Sequence, residues 1–346
     1  MIKILVIGKS GRLDCIADAF KKSSKPNKLY TISEVNNPGL TEKSEKLIPG
    51  KTENVAFIKE HALKIKPDFA FIGPEEPLEA GVADMLTEEL GIPCIGPTRS
   101  LARLEWSKSF ARNLLSKYNI PGNVRYRIFQ DTKGLKSYLE ELGEFVIKPD
   151  GLTSGKGVKV YGDHINSIEE GMEYCSSVLR AGHNSIVIEE KLYGEEFSFQ
   201  SFCDGEHVID TLAVQDHKRA LDGDVGPNTG GMGSYSCEDH SLPFLHKAHI
   251  QEASTINLAV SQALLAETGE YFKGILYGGF IITEYGLKLL EYNVRFGDPE
   301  VMNILPLLKS DFIEICEAII TGKLHMTPVL FNKKATVCKY LVPKGY

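Results

Sequence analysis

Residues 147–158 read Ile-Lys-Pro-Asp-Gly-Leu-Thr-Ser-Gly-Lys-Gly-Val. Glycines at 151, 155 and 157 let backbone N–H groups approach an anion, while Thr153, Ser154 and Lys156 add donors and positive charge. That is the composition of a phosphate-covering loop. It is not a Walker A loop, which needs four residues between its glycines and a Ser or Thr after the Lys; here three separate Gly151 from Gly155, and Gly157 follows Lys156. The flanks differ as well. Phe145–Lys148 and Gly157–Tyr161 both read as strands, so the loop joins strand to strand and opens no helix. Lys148 ends the first strand, at a spacing that brings its ammonium to the same phosphates. An ordinary hairpin would show the same local pattern, so the surrounding sequence has to decide.

On the C-terminal side, a helix is expected over Ser167–Arg180 and a strand over Ser185–Glu190, completing a small α+β unit with a strand near Val124–Phe129 and a helix over Thr132–Leu142. On the N-terminal side, Ile2–Ile7 is a continuous apolar-leaning strand followed by a turn at Gly8–Gly11. Further strands are expected at Leu29–Ile32, Asp68–Ile72 and Pro93–Ile95, with helices at Arg12–Lys22, Val55–Lys66 and Leu78–Leu90. Strands alternating with helices imply a parallel sheet covered on both faces. Gly96-Pro97 marks a boundary, and two helices follow across Arg99–Tyr118. From Glu196 the pattern turns mainly antiparallel, with a long helix around Ala248–Glu267 and strands at Ile275–Thr283 and Leu287–Asn293.

Composition narrows the class. The 346 residues are a prior for two or three domains. A net charge of −7 with scattered Lys and Arg argues against nucleic acid and membrane surfaces as partners. Seven widely spaced cysteines, without a Cys-x-x-Cys pair, fit reduced thiols in a cytoplasmic protein. No apolar run approaches the roughly 20 residues that cross a bilayer.

Three further stretches carry chemistry. In Leu287–Asp298, strand alternation puts Leu290, Tyr292, Val294 and Phe296 on one face and Glu291, Asn293 and Arg295 on the other. Glu291 and Asn293 offer hard oxygen ligands suited to magnesium bridged to phosphates, and Arg295 can neutralise developing charge. A solvated strand face is the plainer alternative, less suited to the acidic turn Gly297–Glu300 that follows. Glu189–Glu196 ends one strand and begins another, where backbone can meet an adenine edge and a carboxylate can hold ribose hydroxyls; a charged turn would look the same. Gln215–Tyr235 interleaves Asp216, His217, Lys218 and Arg219 with Gly226, Asn228 and Gly230–Gly233, suggesting backbone packed on a ligand or else a surface loop. His217 could serve as a general base, though a structural or phosphate-contacting role is commoner. Lys108, at a helix start, reads alone as surface.

Taken together, the chain resembles the ATP-grasp superfamily, and more narrowly the phosphoribosylamine–glycine ligase (glycinamide ribonucleotide synthetase) family. The resemblance rests on GPEEPLEAG at 73–81, GIPCIGP at 91–97, SKSFAR at 107–112, IKPDGLTSGKGV at 147–158, EEKLYGEEFS at 189–198, QDHKRALDGDVGPNTGGMGSYS at 215–236 and LEYNVRFGDPE at 290–300. It implies a multidomain α/β and α+β fold. An N-terminal parallel βαβ domain (1–98) would precede an ATP-grasp domain (99–330) with a small lid (122–192). Residues 331–346 would begin a C-terminal domain that the family carries and this sequence enters only briefly. On that basis apolar surface is expected around Ala335–Leu341, where Val337 and Leu341 share a strand face, with a tendency to self-associate.

The resemblance also implies roles. ATP would lie under the lid with Mg2+ (or Mn2+) on Glu291 and Asn293. Lys108 and Lys148 would contact phosphates, Gly151, Ser154, Gly155, Lys156 and Gly157 would cover them, Glu189, Glu190, Lys191 and Leu192 would line the adenine side, and Glu196 would hold ribose. Asp216, Lys218, Asn228 and Arg295 would sit near the acyl donor. Glycine would become glycyl phosphate, and the amine of 5-phosphoribosylamine would displace phosphate. One departure stands out. The family shows Gly-Gly-Arg-Glu-His-Ala after the first strand; residues 10–15 here are Ser-Gly-Arg-Leu-Asp-Cys, so weaker affinity for the amine is expected. A different ATP-grasp carboxylate–amine ligase, or a nucleotide-binding homologue without catalysis, are the alternatives; the Glu291/Asn293 pair argues against the second. Oligomeric state is left open by the sequence.

Overall fold

The computed structural model describes residues 1–151, 157–223 and 225–343. Three sheets organise the chain. The first is parallel, from β1 (Ile2–Ile7), β2 (Asn27–Ser33), β3 (Lys46–Pro49), β4 (Phe69–Ile72) and β5 (Cys94–Ile95), in the order β3-β2-β1-β4-β5. Ile4, Leu5, Val6 and Ile7 are all fully buried, as a parallel strand covered on both faces requires. The sequence reading missed β3 and the short Pro38–Lys43 helix, which is capped by the Asn37 side chain. Leu78–Leu90, expected as one helix, is broken into Glu76–Glu79, Val82–Asp84 and a π-turn Met85–Glu89, with Gly81 in the left-handed region between the first two.

The second sheet is small and antiparallel: β6 (Tyr126–Phe129), β7 (Phe145–Pro149), β8 (Lys159–Val160) and β9 (Ile186–Glu190), ordered β6-β9-β7-β8. Two helices, Leu135–Leu142 and Ile168–Arg180, cover it. It keeps a core of its own, built from residues such as Leu139, Phe145, Ile147, Cys175 and Ile188.

The third sheet has β10 (Glu195–Cys203), β11 (Val208–Leu221), β12 (Val225–Ser236), β13 (Gly274–Thr283), β14 (Gly286–Asn293) and β15 (Thr336–Lys339), ordered β14-β13-β10-β11-β12-β15 and paired antiparallel throughout. The Gly-rich 215–235 stretch is therefore mostly the hairpin β11–β12. The strand near Val337 hydrogen-bonds to β12 and closes the sheet as its edge, with Val337 81% and Leu341 96% exposed. The Lys247–Thr268 helix packs on this sheet through Ala253, Ile256, Val260 and Leu264.

First and third sheets share their cores. Phe20, Phe71, Phe202, Phe296 and Phe312 form one aromatic cluster reaching across both. Burying Phe296 alone contributes about 1.5–3 kcal/mol, and it anchors the chain just past β14. Main body and small sheet are thus separately packed. Among the described residues, no helix is long and apolar enough to cross a membrane.

Candidate active site

Cross-strand register sets the site. Glu196 on β10 opposes Ile281, Ser198 opposes Gly279 and Val214, and Gly279 opposes Glu291; two residues on, Tyr277 opposes Asn293. Paired residues point to the same side of a sheet and alternate residues share a face. Glu196, Asp216, Glu291 and Asn293 therefore line one face across strands β10, β11 and β14, with Gly279 leaving room between them.

The alternation expected along β14 breaks at Leu290. Glu291 pairs with Gly279 but Leu289 with Phe280, leaving Leu290 as an extra, bulged residue. Leu287 and Leu289 are buried before it, Tyr292, Val294 and Phe296 after it, while Leu290 is half-exposed. Leu290 thus does not share the face of Tyr292, because a bulge resets the two-residue period. The bulge also frees carbonyls that the ladder would otherwise occupy. Arg112 donates to Leu289 O and Leu290 O, both at 2.9 Å, and Lys148 donates to Leu290 O at 3.0 Å.

Lys148 is buried, unlike a typical strand-end lysine, and pairs with Glu189 at 2.8 Å. Arg112 grips the same carboxylate with two bonds, 2.7 and 3.0 Å. Burial alone would raise the Glu189 carboxyl, but Arg112 and Lys148 outweigh it and hold it at about 2. The side chains of 189–191 are taken up internally. The Glu190 carboxylate accepts the Arg125 N–H, and Lys191 Nζ donates to Tyr161 O. Leu192 is half-buried beside them.

Lys108 opens the Lys108–Lys117 helix, whose cap is Ser107 accepting the Phe110 N–H. Its ammonium donates to Gly151 O at the mouth of the Gly-rich loop. Asp150, one residue earlier, is held by the hydroxyls of Ser109 and Ser185 and by the Ser109 N–H. Gly151 and Gly157 frame the loop; Ser154, Gly155 and Lys156 lie outside the described residues.

Charge converges on Glu291, whose side chain is exposed. Burial among protein atoms raises its carboxyl, and Lys218, Lys148, Lys108 and Arg295 together bring it below the ordinary range. Lys218 pairs with Asp216 at 3.7 Å, and Asp216 foremost raises its ammonium. Glu196 is raised, first by burial. Asn293 Oδ1 accepts from Arg295 at 3.1 Å. An anionic carboxylate and an amide oxygen with a spare lone pair are a hard donor set that fits Mg2+. Asn228 stands apart: exposed on β12 opposite Arg219, it lines a shallow cleft with Lys159 and His164 of the small sheet unit, and among the described residues no hydrogen bond joins it to Asp216, Lys218 or Arg295. His217 is exposed and stacks on Tyr235.

Several site residues were quoted within the matching stretches without being read individually. Arg112 is one. Glu75 and Glu105 hold Arg295 at 3.2 and 2.9 Å, and Glu105 also accepts the Val294 N–H at 2.8 Å. Burial lifts the Glu105 carboxyl to about 7 against the pull of Arg295. Glu300, 2% exposed, accepts the Tyr277 hydroxyl at 2.6 Å and is lifted to about 7 by burial and then Asp216. For Glu75 and Glu300 the sequence signal was an acidic residue beside Gly and Pro after a strand, whereas Glu105 lies within the Arg99–Trp106 helix, outside the matching stretches, and had none.

The altered first loop meets the same region. Arg12 donates to Gly73 O at 2.7 Å, and its Nε is buried without a hydrogen-bond partner among the described residues. Leu13 is fully buried, wedged so closely under Gly8 and Gly73 that neither glycine has room for a Cβ. Asp14 pairs with Lys43 at 2.7 Å.

Such a fold and site define an ATP-grasp protein. Residues 2–105 match the family description "Phosphoribosylglycinamide synthetase, N domain", and residues 106–301 its "ATP-grasp (A) domain". The chain belongs to the phosphoribosylglycinamide synthetase family. It is 48% identical to phosphoribosylamine–glycine ligase of Methanocaldococcus jannaschii, over 100% of this chain and 79% of that protein, and 47% identical to that of Methanosarcina barkeri, with the same coverages. The crystal structure of phosphoribosylamine–glycine ligase from Thermotoga maritima superposes with a TM-score of 0.81 at 28% identity, covering 100% of this chain and 81% of that one. The biotin carboxylase domain of Hydrogenobacter thermophilus 2-oxoglutarate carboxylase, solved with MgADP, shares the fold at a TM-score of 0.72 and 18% identity, covering 97% of this chain and 74% of that one.

Proposed function

We propose that this chain is the ATP-dependent ligase that joins glycine to 5-phosphoribosylamine, giving glycinamide ribonucleotide, ADP and phosphate. The observation that carries this reading is the convergence of Lys108, Lys148, Lys218 and Arg295 on Glu291, in a chain 48% identical to a protein named for that ligation. The ATP polyphosphate would lie over Glu291 and Asn293, with Mg2+ on those two residues supplying charge neutralisation between phosphate oxygens. Lys148 enters that site already fixed by Glu189 and the Leu290 carbonyl, so little is lost in ordering it. The Gly151–Gly157 loop and the unit spanning 122–192 would act as the lid, with Leu192 and the neighbouring backbone on the adenine side and Glu196 at the ribose.

Glycine's carboxylate would attack the γ-phosphorus with ADP leaving, and the amine would then attack the carbonyl carbon of the resulting acyl phosphate with phosphate leaving. Asp216, Lys218, Arg295 and Asn228 are assigned to that acyl-transfer end. Rigid cations placed where charge develops account for most such catalysis. On the amine side we assign Arg12, whose Nε has donor capacity to spare. Phosphate release should require glycine, phosphoribosylamine and Mg2+ together. Equal turnover with other amino acids replacing glycine would overturn the assignment, and the same assay with other amines would reveal a different acceptor.

A further inference from the structure

At the opposite end of β10 from Glu196, roughly 25 Å away by strand rise, a second cluster of polar side chains has no part in the ligase site. Asp204 begins the turn to β11. Its Oδ1 accepts the N–H groups of Glu206 and His207, at 3.1 and 2.7 Å, so the carboxylate is fixed in orientation by its own turn. Oδ2 accepts the Leu324 N–H at 3.0 Å from a different part of the chain, the short turn Leu324–Met326 after the Phe312–Thr321 helix. That turn delivers His325 onto His207. Their rings lie 4.2 Å apart at 32°, and His207 Nδ1 is 3.3 Å from Asp204 Oδ2. One donor atom from each of Asp204, His207 and His325 falls within 4.8 Å of the others, which among the described residues occurs only here.

We propose that Asp204, His207 and His325 form a binding site for a divalent transition ion of the zinc class, tying the β10–β11 turn to the segment after the Phe312–Thr321 helix. Two imidazole nitrogens and one carboxylate oxygen are three of the four donors of a tetrahedral zinc site, with water as the fourth. The nitrogen-rich set selects against Mg2+, which prefers oxygen ligands in octahedral array, so this site and the Glu291/Asn293 pair sort two metals by donor chemistry. Asp204 is oriented by three backbone N–H groups, the kind of support that holds a ligand ready. His207 is half-exposed and His325 exposed, so an ion can enter from solvent. Because the donors come from two segments brought together only on folding, binding stabilises the native chain.

The test is titration of the full chain with Zn2+ after chelator treatment, followed by calorimetry and by melting temperature. Expected is one Zn2+ bound with a rise in melting temperature that Mg2+ does not reproduce. His325→Ala should weaken that binding at least roughly tenfold and remove the rise, and His207→Ala should do the same. His246→Ala, which alters a second histidine pair with rings 5.2 Å apart, should leave both unchanged. Phosphate release by His325→Ala without zinc should match the wild type, showing that the variant folds. Zinc affinity unchanged in both His207→Ala and His325→Ala, or loss only in His246→Ala, would overturn the proposal.

Discussion

Two arginine clamps flank the Glu291 strand, one buried and one partly exposed, and they are built with opposite charge ratios. In the first, two cations share one carboxylate: Arg112 and Lys148 both hold Glu189, whose carboxyl falls to about 2. In the second, one guanidinium is shared by two carboxylates: Arg295 holds Glu75 and Glu105, and the Glu105 carboxyl rises to about 7. The first clamp stays ionised throughout the physiological range and fixes the bulged end of β14 to the small sheet. The second adjoins Asn293 through Arg295, and its Glu105 carboxyl is lifted to about 7. Arg12 extends the contrast. It reaches Glu75 at 4.0 Å, and burial together with Arg295 lowers its guanidinium, whereas the carboxylates raise that of Arg295.

If the first clamp is structural, Glu189→Gln should cost about 3–5 kcal/mol of stability, since removing one partner strands buried charge; urea denaturation measures it. The depressed carboxyl carries a pH signature. Its contribution is complete above the ordinary 4.5 and is lost as pH falls from there through about 2. The variant should lack that part of the wild-type acid dependence. A loss below 1 kcal/mol would break the contrast.

Glu291 lies between the clamps and belongs to neither. Glu291→Gln should lower turnover roughly 100–1,000-fold at an unchanged melting temperature. Near-wild-type phosphate release would remove Glu291 from the site.

For the second clamp, Glu105→Gln should leave stability at neutral pH nearly unchanged while turnover falls by no more than about 100-fold, the cost of a small misplacement of Arg295. A raised carboxyl favours the protonated folded state. Its contribution is therefore full below 4.5 and lost as pH rises toward about 7. Stability-versus-pH curves should differ from wild type in that window alone, and identical slopes would show that Glu105 does not titrate there.

The smallest effect sharpens the contrast between the two arginines. Arg12→Ala should raise the apparent KM for phosphoribosylamine by about tenfold, the worth of one charge-assisted hydrogen bond, with the KM for ATP unmoved. A rise in both would mean that Arg12 acts through Arg295.

Much of this was legible without coordinates. Strands such as the apolar-leaning Ile2–Ile7 alternating with helices implied the parallel sheet, whose strands are covered on both faces. The strand–loop–strand frame around Gly151–Gly157 separated this loop from a P-loop. Leu13 marks a boundary of such reading. As a letter it is a departure from the family's Glu; in the fold it fills the space under Gly8 and Gly73, so restoring Glu would bury a carboxylate rather than simply rebuild a contact.

By itself the sequence determined which residue types stand together: Glu291 and Asn293 two apart on a strand, and glycines with lysines beside them in the 147–158 stretch. Those are local facts, set by the strand period and by donor chemistry. Only the tertiary structure decided how the charges are shared. Arg112 and Glu189 are 77 positions apart and Arg295 and Glu75 are 220 apart, and no local period encodes such pairings. The bulge at Leu290 is of the same kind, since an unpaired residue exists only relative to the neighbouring strand. Whether a carboxyl rests at 2 or at 7 then follows from burial and from how many cations the fold brings to it.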